Sequence, residues 1–444
     1  MINIAQIKKK FSNLAITEIG QTSGFIKREK KLSALTFIIS FFESFSDGSG
    51  CETKVWVQKI SAHLGAPLTK QGFTKRIGWR CVSFCEQVLA NAVQFSLQKA
   101  VKSSIEGTWM SAFNRVFLED STCLKLPKIL YSIYGGSANQ KGTYAVARIQ
   151  LRMLLSSGQI QNLVIRSYGE TDVKFAADIL SQLRCGDLVI RDLGYSVIDV
   201  FAKIQEKGAF FISRWHPHTR LCCFLTKKAL DLGEMLAKAS RNGVEIIDIK
   251  VLMGLQKQFP VRLIAIKVPL DVEGKRRKNV ENRQKDKGFT YSQSYLEHLG
   301  WSIYITNVEP DKLNASKIWG IYALRWRIEI IFKAWKSHLN IANNIQDLKY
   351  LNPCQIIVRL YLMMAWIVLC LVPAYNYYAY KIFQTEKRHV SLAKFADYYR
   401  NNFQSIVNEL NWDKHIPFII TFCLYDKRKK YRNYFENLYM TNLC

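Results

Sequence analysis

The chain has 444 residues, 49% of them hydrophobic and 13% aromatic, which excludes a solvated tail and allows two to four domains around a large core. Its 63 Lys and Arg against 35 Asp and Glu leave a net charge of +28. A polyanion such as nucleic acid is the favoured partner of a chain that basic, although ribosomal proteins, nucleases and membrane-surface proteins share the balance.

The first hundred residues read as mostly helical and open on basic clusters at Lys8 to Lys10 and Lys27 to Lys31. Val55 to Leu64 has the apolar spacing of a helix, Gly65 breaks it, and Thr69 can cap a second helix that carries Lys70, Lys75 and Arg76. Helix, short turn and basic second helix suggest a helix-turn-helix-like element that contacts DNA, a pattern that any helical hairpin can also show.

From about residue 111 the pattern changes. Arg115 to Glu119 reads as a short strand ending at Asp120, Tyr144 to Leu155 alternates apolar and polar residues, and Leu163 to Tyr168 is a third strand. A helix from Thr171 to Leu183 follows, then a strand from Asp187 to Arg191 ending at Asp192, a helix from Val197 to Glu206, and a strand from Ala209 to Ser213. That order predicts an α/β fold. Residues 216–308 interrupt it with β-rich runs at Val244 to Met253, Val261 to Leu270 and Trp301 to Thr306. They also contain a charged loop, Lys275 to Lys287, with seven basic and two acidic residues, open to reading as a solvated loop or as a phosphate contact. Helix resumes near Lys317 and continues through Leu339. The remainder from about 346 is helical and ends on basic residues from Lys427 to Arg432. Within it the apolar run Leu360 to Val372, bounded by Arg359 and Pro373, is too short to span a bilayer and reads as a buried helix.

Eleven cysteines without a C-x-x-C, loosely scattered apart from Cys222-Cys223 and the pair Cys81 and Cys85, point to reduced thiols and a cytoplasmic protein. The start, Met1 to Ile4, lacks a signal-peptide core.

Asp120 and Asp192 each follow a short apolar strand, the place where an α/β sheet gathers ligands and metals. Either alone is more simply a turn residue or a helix cap. At about 100° per residue on one helix, Tyr322, Arg325, Glu329 and Lys336 fall within about 60° of one another, beside a stripe of Leu324, Ile328, Ile331, Phe332, Trp335 and Leu339. An amphipathic helix with an Arg–Glu pair would look similar, but a solvated face does not need the tyrosine.

This spacing resembles the DDE-type transposases of bacterial insertion sequences that carry the Y-(2)-R-(3)-E-(6)-K signature. Tyr322, Arg325, Glu329 and Lys336 match it without a gap, as do the contexts Asp120 to Thr122, Asp192 to Tyr195 and Phe210 to Arg214. The resemblance covers roughly residues 111–345 and, more weakly, the N-terminal helices. It implies a ribonuclease H-like core, with strand-end acids Asp120 and Asp192 and a helical acid Glu329, interrupted by a β-rich insertion. The implied domains are a helical DNA-binding region at 1–110, core at 111–215, insertion at 216–308, the catalytic helix at 309–345 and a helical region at 346–444.

Three carboxylates suit two Mg2+ ions, with Mn2+ as a substitute, stabilising the attacking and leaving oxygens of an in-line displacement. Asp120 is the expected bridging ligand. The implied activity is cleavage at transposon ends and strand transfer into target DNA, cut-and-paste, through a hairpin or directly. Arg325, Lys336 and Tyr322 are expected to hold phosphates, with Arg214 a weaker DNA contact. Trp301 is a candidate platform for a displaced base, against the simpler reading of a buried core residue. His216 and His218 are open to reading as ligands, but without partnered spacing they read as loop or insertion-domain residues.

The implied partners are double-stranded DNA, as terminal inverted repeats and target, and a second copy of the chain in the DNA complex, with no membrane. The location expected is the cytoplasm, at the nucleoid when bound. A ribonuclease H-like nuclease without joining activity, and a transposase-derived DNA-binding protein without catalysis, are the alternatives.

Overall fold

The structure, a computed structural model, describes residues 15–27, 32–46, 52–98, 108–139, 142–408 and 412–426. The basic clusters at Lys8 to Lys10, at 28–31 and from Lys427 onward lie outside the described residues. Ten strands follow one another: β1 (Val116–Leu126), β2 (Gly136–Asn139), β3 (Gly142–Leu154), β4 (Ile160–Ser167), β5 (Leu188–Arg191), β6 (Phe210–Arg214), β7 (Leu221–Cys223), β8 (Ile246–Met253), β9 (Phe259–Lys267) and β10 (Trp301–Thr306). The mixed α/β class expected from the sequence is the one observed. The described residues divide into two compact units: a helix-rich one within Met1–Ser103, Ser121–Glu170 and Arg327–Arg428, and a sheet unit from Ser104–Asp120 and Thr171–Trp326.

In the sheet unit the strand order is β1-β5-β6-β10-β9-β8-β7. β1 pairs parallel with β5, and β5 parallel with β6. Every residue of β5 is buried, as a parallel strand covered on both faces requires. Parallel neighbours need a crossover, and the helix Ile198–Glu206 supplies it between β5 and β6 by burying Val200, Phe201 and Ile204. The Phe201 ring stacks on Phe211 at 4.3 Å. The strands of the 216–308 stretch extend this sheet: β10 pairs antiparallel with β6, and β9, β8 and β7 add in turn. Where β6 and β10 part, Asn307 bridges them, accepting from Phe211 N at 2.9 Å and donating to Ala209 O at 2.9 Å.

Three local readings need correction. β1 does not end at Asp120 but runs on to Leu126 beside β3, where Arg148 donates to Ser121 Oγ at 3.2 Å. The helix after β4 is only Asp172–Phe175 followed by a 3-10 turn at Asp178–Ser181. Lys275 to Lys287 is no loop: it belongs to the helix Leu270–Lys287, of which only Val280 is buried. With no apolar stripe it carries no periodic signal, and i,i+4 ion pairs such as Lys275–Asp271 help to hold it instead.

In the helix-rich unit β3 pairs antiparallel with β2 and β4. The helices Ala34–Ser46, Thr53–Leu64, Trp79–Gln98 and Pro353–Trp366 form the core. Its centre is Trp56, fully buried with Phe37, Phe41 and Phe73 at ring distances of 4.7, 4.8 and 4.9 Å. Arg359 is also fully buried, its guanidinium 5.1 Å from the Trp56 ring and donating to Thr53 Oγ1 at 2.8 Å. The apolar run at Leu360 is part of a longer helix, Pro353–Glu386, which by length and composition could cross a membrane, but 89% of its apolar window is buried inside the fold. Pro373 does not stop it. A π-turn at Ile367–Leu371 widens the helix just ahead of the proline and accommodates the missing donor. The nine described cysteines are free thiols.

Two outcomes follow from this packing. Trp56→Ala removes the centre of an aromatic cluster and is expected to lower unfolding free energy by about 3–5 kcal/mol, read as a lower urea midpoint at unchanged slope. Burial, and then the charge of Arg327, hold the His389 imidazole down to about 4 from its ordinary 6.5. The folded form thus binds fewer protons than the unfolded form. The stability present above pH 6.5 is lost as pH falls from 6.5 toward 4, by on the order of 1–2 kcal/mol after allowing for the ring's partial exposure. Chemical denaturation at about pH 7 and about pH 4.5 should show that loss, and His389→Phe should flatten it.

Candidate active site

The site begins with a register. In the parallel pair β1–β5, Val116 stands opposite Leu188 and Glu119 opposite Arg191. Two ion pairs bracket it. At the entry, Arg115 Nε donates to Asp187 Oδ1 at 3.0 Å. At the exit, Arg191 Nε donates to Glu119 Oε2 at 3.0 Å, a second donor of the same guanidinium reaches that oxygen, and Ala176 O accepts at 2.9 Å. Glu119 and Arg191 are both fully buried, and the Arg191 guanidinium lies 5.1 Å from the Tyr195 ring. Burial, and next the Glu119 carboxylate, push the Tyr195 phenol well above its ordinary range.

Asp120 and Asp192 are the next residues along the two strands. Side chains alternate along a strand, so the aspartates project from the face opposite the Glu119–Arg191 pair. Asp192 is the residue before the 3-10 turn Leu193–Tyr195, and its side chain makes no capping bond. Its carboxylate is therefore not consumed as a turn or cap.

The cations come from the segment after β10. Arg262 in β9 is paired with Asp248 and donates to Val308 O at 3.0 Å and Leu313 O at 2.7 Å, fixing the approach to the helix Ala315–Ala323. Asn314 caps that helix by accepting from Ser316 N at 3.0 Å. Near its end Tyr322 Oη donates to Asp192 Oδ1 at 3.2 Å, and its ring packs on Tyr304 at 5.1 Å. Burial, and then the Asp192 charge, raise the Tyr322 phenol above its ordinary range, so it is a hydrogen-bond donor and not an acid here. Arg325 forms a close ion pair with Asp120 Oδ2 and lies 3.6 Å from Asp192 Oδ1 through Nε. One guanidinium thus sits against both aspartates.

The expected single helix from Lys317 to Leu339 is broken. Leu324 N and Arg325 N bond back only three residues, to Ile321 O and Tyr322 O, and helix resumes at Trp326–Lys333 before a π-turn at Ala334–His338. Glu329, half-buried, lies in the first turn of Trp326–Lys333, within the helix-rich unit. Lys336 occupies the π-turn and donates to Thr122 Oγ1 at 2.5 Å, and burial lowers its amine from the ordinary range.

The structure therefore brings Asp120, Asp192, Tyr322 and Arg325 together in the sheet unit and Lys336 and Thr122 together in the helix-rich unit. Among the described residues no three His, Cys, Asp or Glu side chains cluster closely enough to hold a metal ion. Arg214 ends β6, exposed, opposite Tyr304 on β10. Trp301 is only 2% exposed, a core residue of β10, and as placed it offers no face to a base. Lys70, Lys75 and Arg76 are exposed, but the second helix is just Lys70–Thr74, capped by Thr69 through Gly72 N at 3.1 Å, and Lys75 and Arg76 lie in the turn after it. The His216 and His218 rings sit 5.1 Å apart in the loop beyond β6.

Sequence reasoning gave no role to Glu119, Arg191 and Tyr304. A signal for the first two was present: opposite charges immediately before each aspartate, in strands otherwise apolar.

The sequence profile of the family described as transposase DDE domain matches residues 111–345, the stretch that carries the resemblance. The chain belongs to that DDE transposase family. It is 28% identical over 341 residues to the transposase for insertion sequence element IS231B of Bacillus thuringiensis subsp. berliner, covering 73% of this chain and 70% of that protein. To the transposase for IS1151 of Clostridium perfringens it is 28% identical over 363 residues, 77% of this chain and 75% of that one. The transposase for IS231F of Bacillus thuringiensis subsp. israelensis is 27% identical over 355 residues, 76% and 73% of the two chains. Membership makes this a DNA-processing enzyme of the insertion-sequence type.

Arg191→Met leaves the Glu119 carboxylate buried without its cation and is expected to cost about 3–5 kcal/mol in urea unfolding. The double variant Glu119→Leu with Arg191→Met should recover most of that loss, and failure to recover would show that the pair does more than satisfy itself.

Proposed function

We propose that the chain cleaves the ends of its own element and transfers the freed strands into target DNA, using Asp120, Asp192 and Glu329 as its acids. The observation that carries this reading is one cationic group, Arg325, held against both Asp120 and Asp192. Two carboxylates from adjacent strands oppose each other's charge unless a cation lies between them. Their oxygens are the hard donors that Mg2+ or Mn2+ takes. That donor set fits a divalent ion, and Glu329, four residues beyond Arg325, is the acid we assign to complete it. When bound, two such ions supply Lewis-acid stabilisation of the attacking and leaving oxygens of an in-line displacement.

The chain's own residues then do the positioning. Arg325, released from the aspartates, is free to hold a phosphate oxygen, and its planar fork suits that geometry. Tyr322 holds the orientation of the Asp192 carboxylate. We assign Lys336, which donates to Thr122 Oγ1, a second phosphate contact. The parallel order β1-β5-β6 supports a ribonuclease H-like core at 111–215 and 309–345, with 216–308 inserted between them. The exposed Lys70, Lys75 and Arg76 support a DNA contact in the helical region 1–110. Two ends must meet, so we assign a homodimer on DNA. Phe418 and Phe422, one turn apart and 53% and 60% exposed on the helix Ile416–Phe422, are candidates for its contact within 346–444.

Incubating the protein with Mg2+ and duplex cut from the borders of its own gene tests the reading. Nicked ends followed by hairpin or joined products are expected, and Asp120→Ala or Glu329→Ala should lose about a thousandfold in cleavage rate while still binding DNA, several kcal/mol of transition-state stabilisation. Hydrolysed ends with no joined product would make it a nuclease, and an unaltered Asp120→Ala variant would remove the catalytic reading.

A further inference from the structure

The helix Leu270–Lys287 has almost no core to serve, since only Val280 of its eighteen residues is buried. A helix polar on every side persists only where other contacts hold it. Its first half has them. Asp271 pairs with Lys275 at 3.1 Å and Glu273 with Arg277 at 2.8 Å. Arg276 reaches the start of β10, donating to Leu299 O at 3.2 Å, Trp301 O at 2.8 Å and Ser302 Oγ at 3.1 Å.

The second half is different. Lys278, Arg283, Lys285 and Lys287 are all exposed, and none makes an ion pair among the described residues. Lys285 and Lys287 lie in the last turn, where a cation favours the helix dipole. Lys278 and Arg283 are too far back for that explanation. Glu281 and Asp286 stand among them, so from Lys278 onward the helix keeps a net charge of +2, and a polyanion satisfies that surplus.

The helix is also rooted close to the paired aspartates. β10, which Arg276 grips, carries Tyr304, whose ring packs on Tyr322, the donor to Asp192. Arg214 stands opposite Tyr304 in the sheet, and the charges of Arg214 and Arg276 both act on its phenol. The cations thus continue from Arg214 past Arg276 and out along the helix.

We propose that Leu270–Lys287 is a rail laid along duplex DNA leading away from the reacting bond, with Lys278 and Lys285 meeting phosphates on one side of the helix and Arg283 and Lys287 meeting phosphates on the opposite side. The proposal rests on DNA being the substrate. Lys278 and Lys285, two turns apart, are separated by about 10 Å along the helix axis, about three axial steps of one DNA strand. The contact is with phosphates only, so it is independent of base sequence.

The test is equilibrium binding of a fluorescent random-sequence duplex of about three helical turns, by anisotropy, over a series of KCl concentrations without divalent metal. The variant K278Q/R283Q/K285Q/K287Q is compared with a control, K203Q/K207Q/K227Q/K228Q, that removes the same charge from exposed lysines elsewhere in the sheet unit. The rail variant is expected to bind at least about tenfold more weakly at about 0.1 M salt and to lower the slope of log affinity against log salt by about 2–4, near 0.9 per phosphate lost. The control should shift the slope by less than about 1. Equal effects of the two variants, or no effect of the first, overturn the proposal. Glutamine is nearly as good a helix former as lysine. The pairs K278Q/K285Q and R283Q/K287Q, each expected to give about half the change, keep the test readable if the fourfold variant loses stability. If the unmodified chain binds no duplex at all, the DNA reading of the preceding subsection fails. If it binds and the rail variant matches it, only the rail fails.

Discussion

Between β1 and β5 a carboxylate and a guanidinium are buried directly opposite each other in register, with Ala176 O and the Tyr195 ring completing the environment of Arg191. A one-residue slip of either strand would leave both charges unpaired in an apolar interior, and it would also turn Asp120 or Asp192 to the wrong face. The same constraint therefore sets the sheet and aims the aspartates. The Arg115–Asp187 pair at the other end of the strands leaves no slack in that register.

One line of contacts in the sheet unit leads to the cation that stands against that pair of acids. β10 adds to β6, β9 to β10, and Arg262 of β9 ties down the segment that leads to Tyr322 and Arg325. The stretch at 216–308 thus bears on the site: its outer strands carry the residues that set where the signature helix begins. Arg325 stands at the break in the helix and meets both strand-end carboxylates from there. Asp120, Asp192, Tyr322 and Arg325 meet in the sheet unit, within the stretch 111–345 that belongs to the transposase DDE family.

The candidate site was legible in the chain where its residues lie in local patterns. Short apolar strands ending in Asp120 and Asp192 and the fixed spacing of Tyr322, Arg325, Glu329 and Lys336 are one-dimensional signals. Less was legible where a residue's role comes from its partner across the sheet. Glu119 and Arg191 are 72 residues apart, Tyr304 and Arg214 meet only through strand pairing, and Trp301 differs from an exposed platform only by burial. The helix Leu270–Lys287 escaped because periodicity detects apolar stripes, and this helix has none.

By itself the sequence determined the basic character of the chain, its α/β class and the membership that residues 111–345 establish, and it supplied the candidates for acids and phosphate contacts. These follow from composition, from period-two and helical spacing, and from a signature whose members lie within fifteen residues of each other, Tyr322 to Lys336. Tertiary structure alone decided that Asp120 and Asp192 share one guanidinium, that Tyr322 bonds Asp192, and that the last long apolar helix is packed inside the fold. Those are outcomes of register and burial, and both depend on residues far apart in the chain meeting at fixed distance.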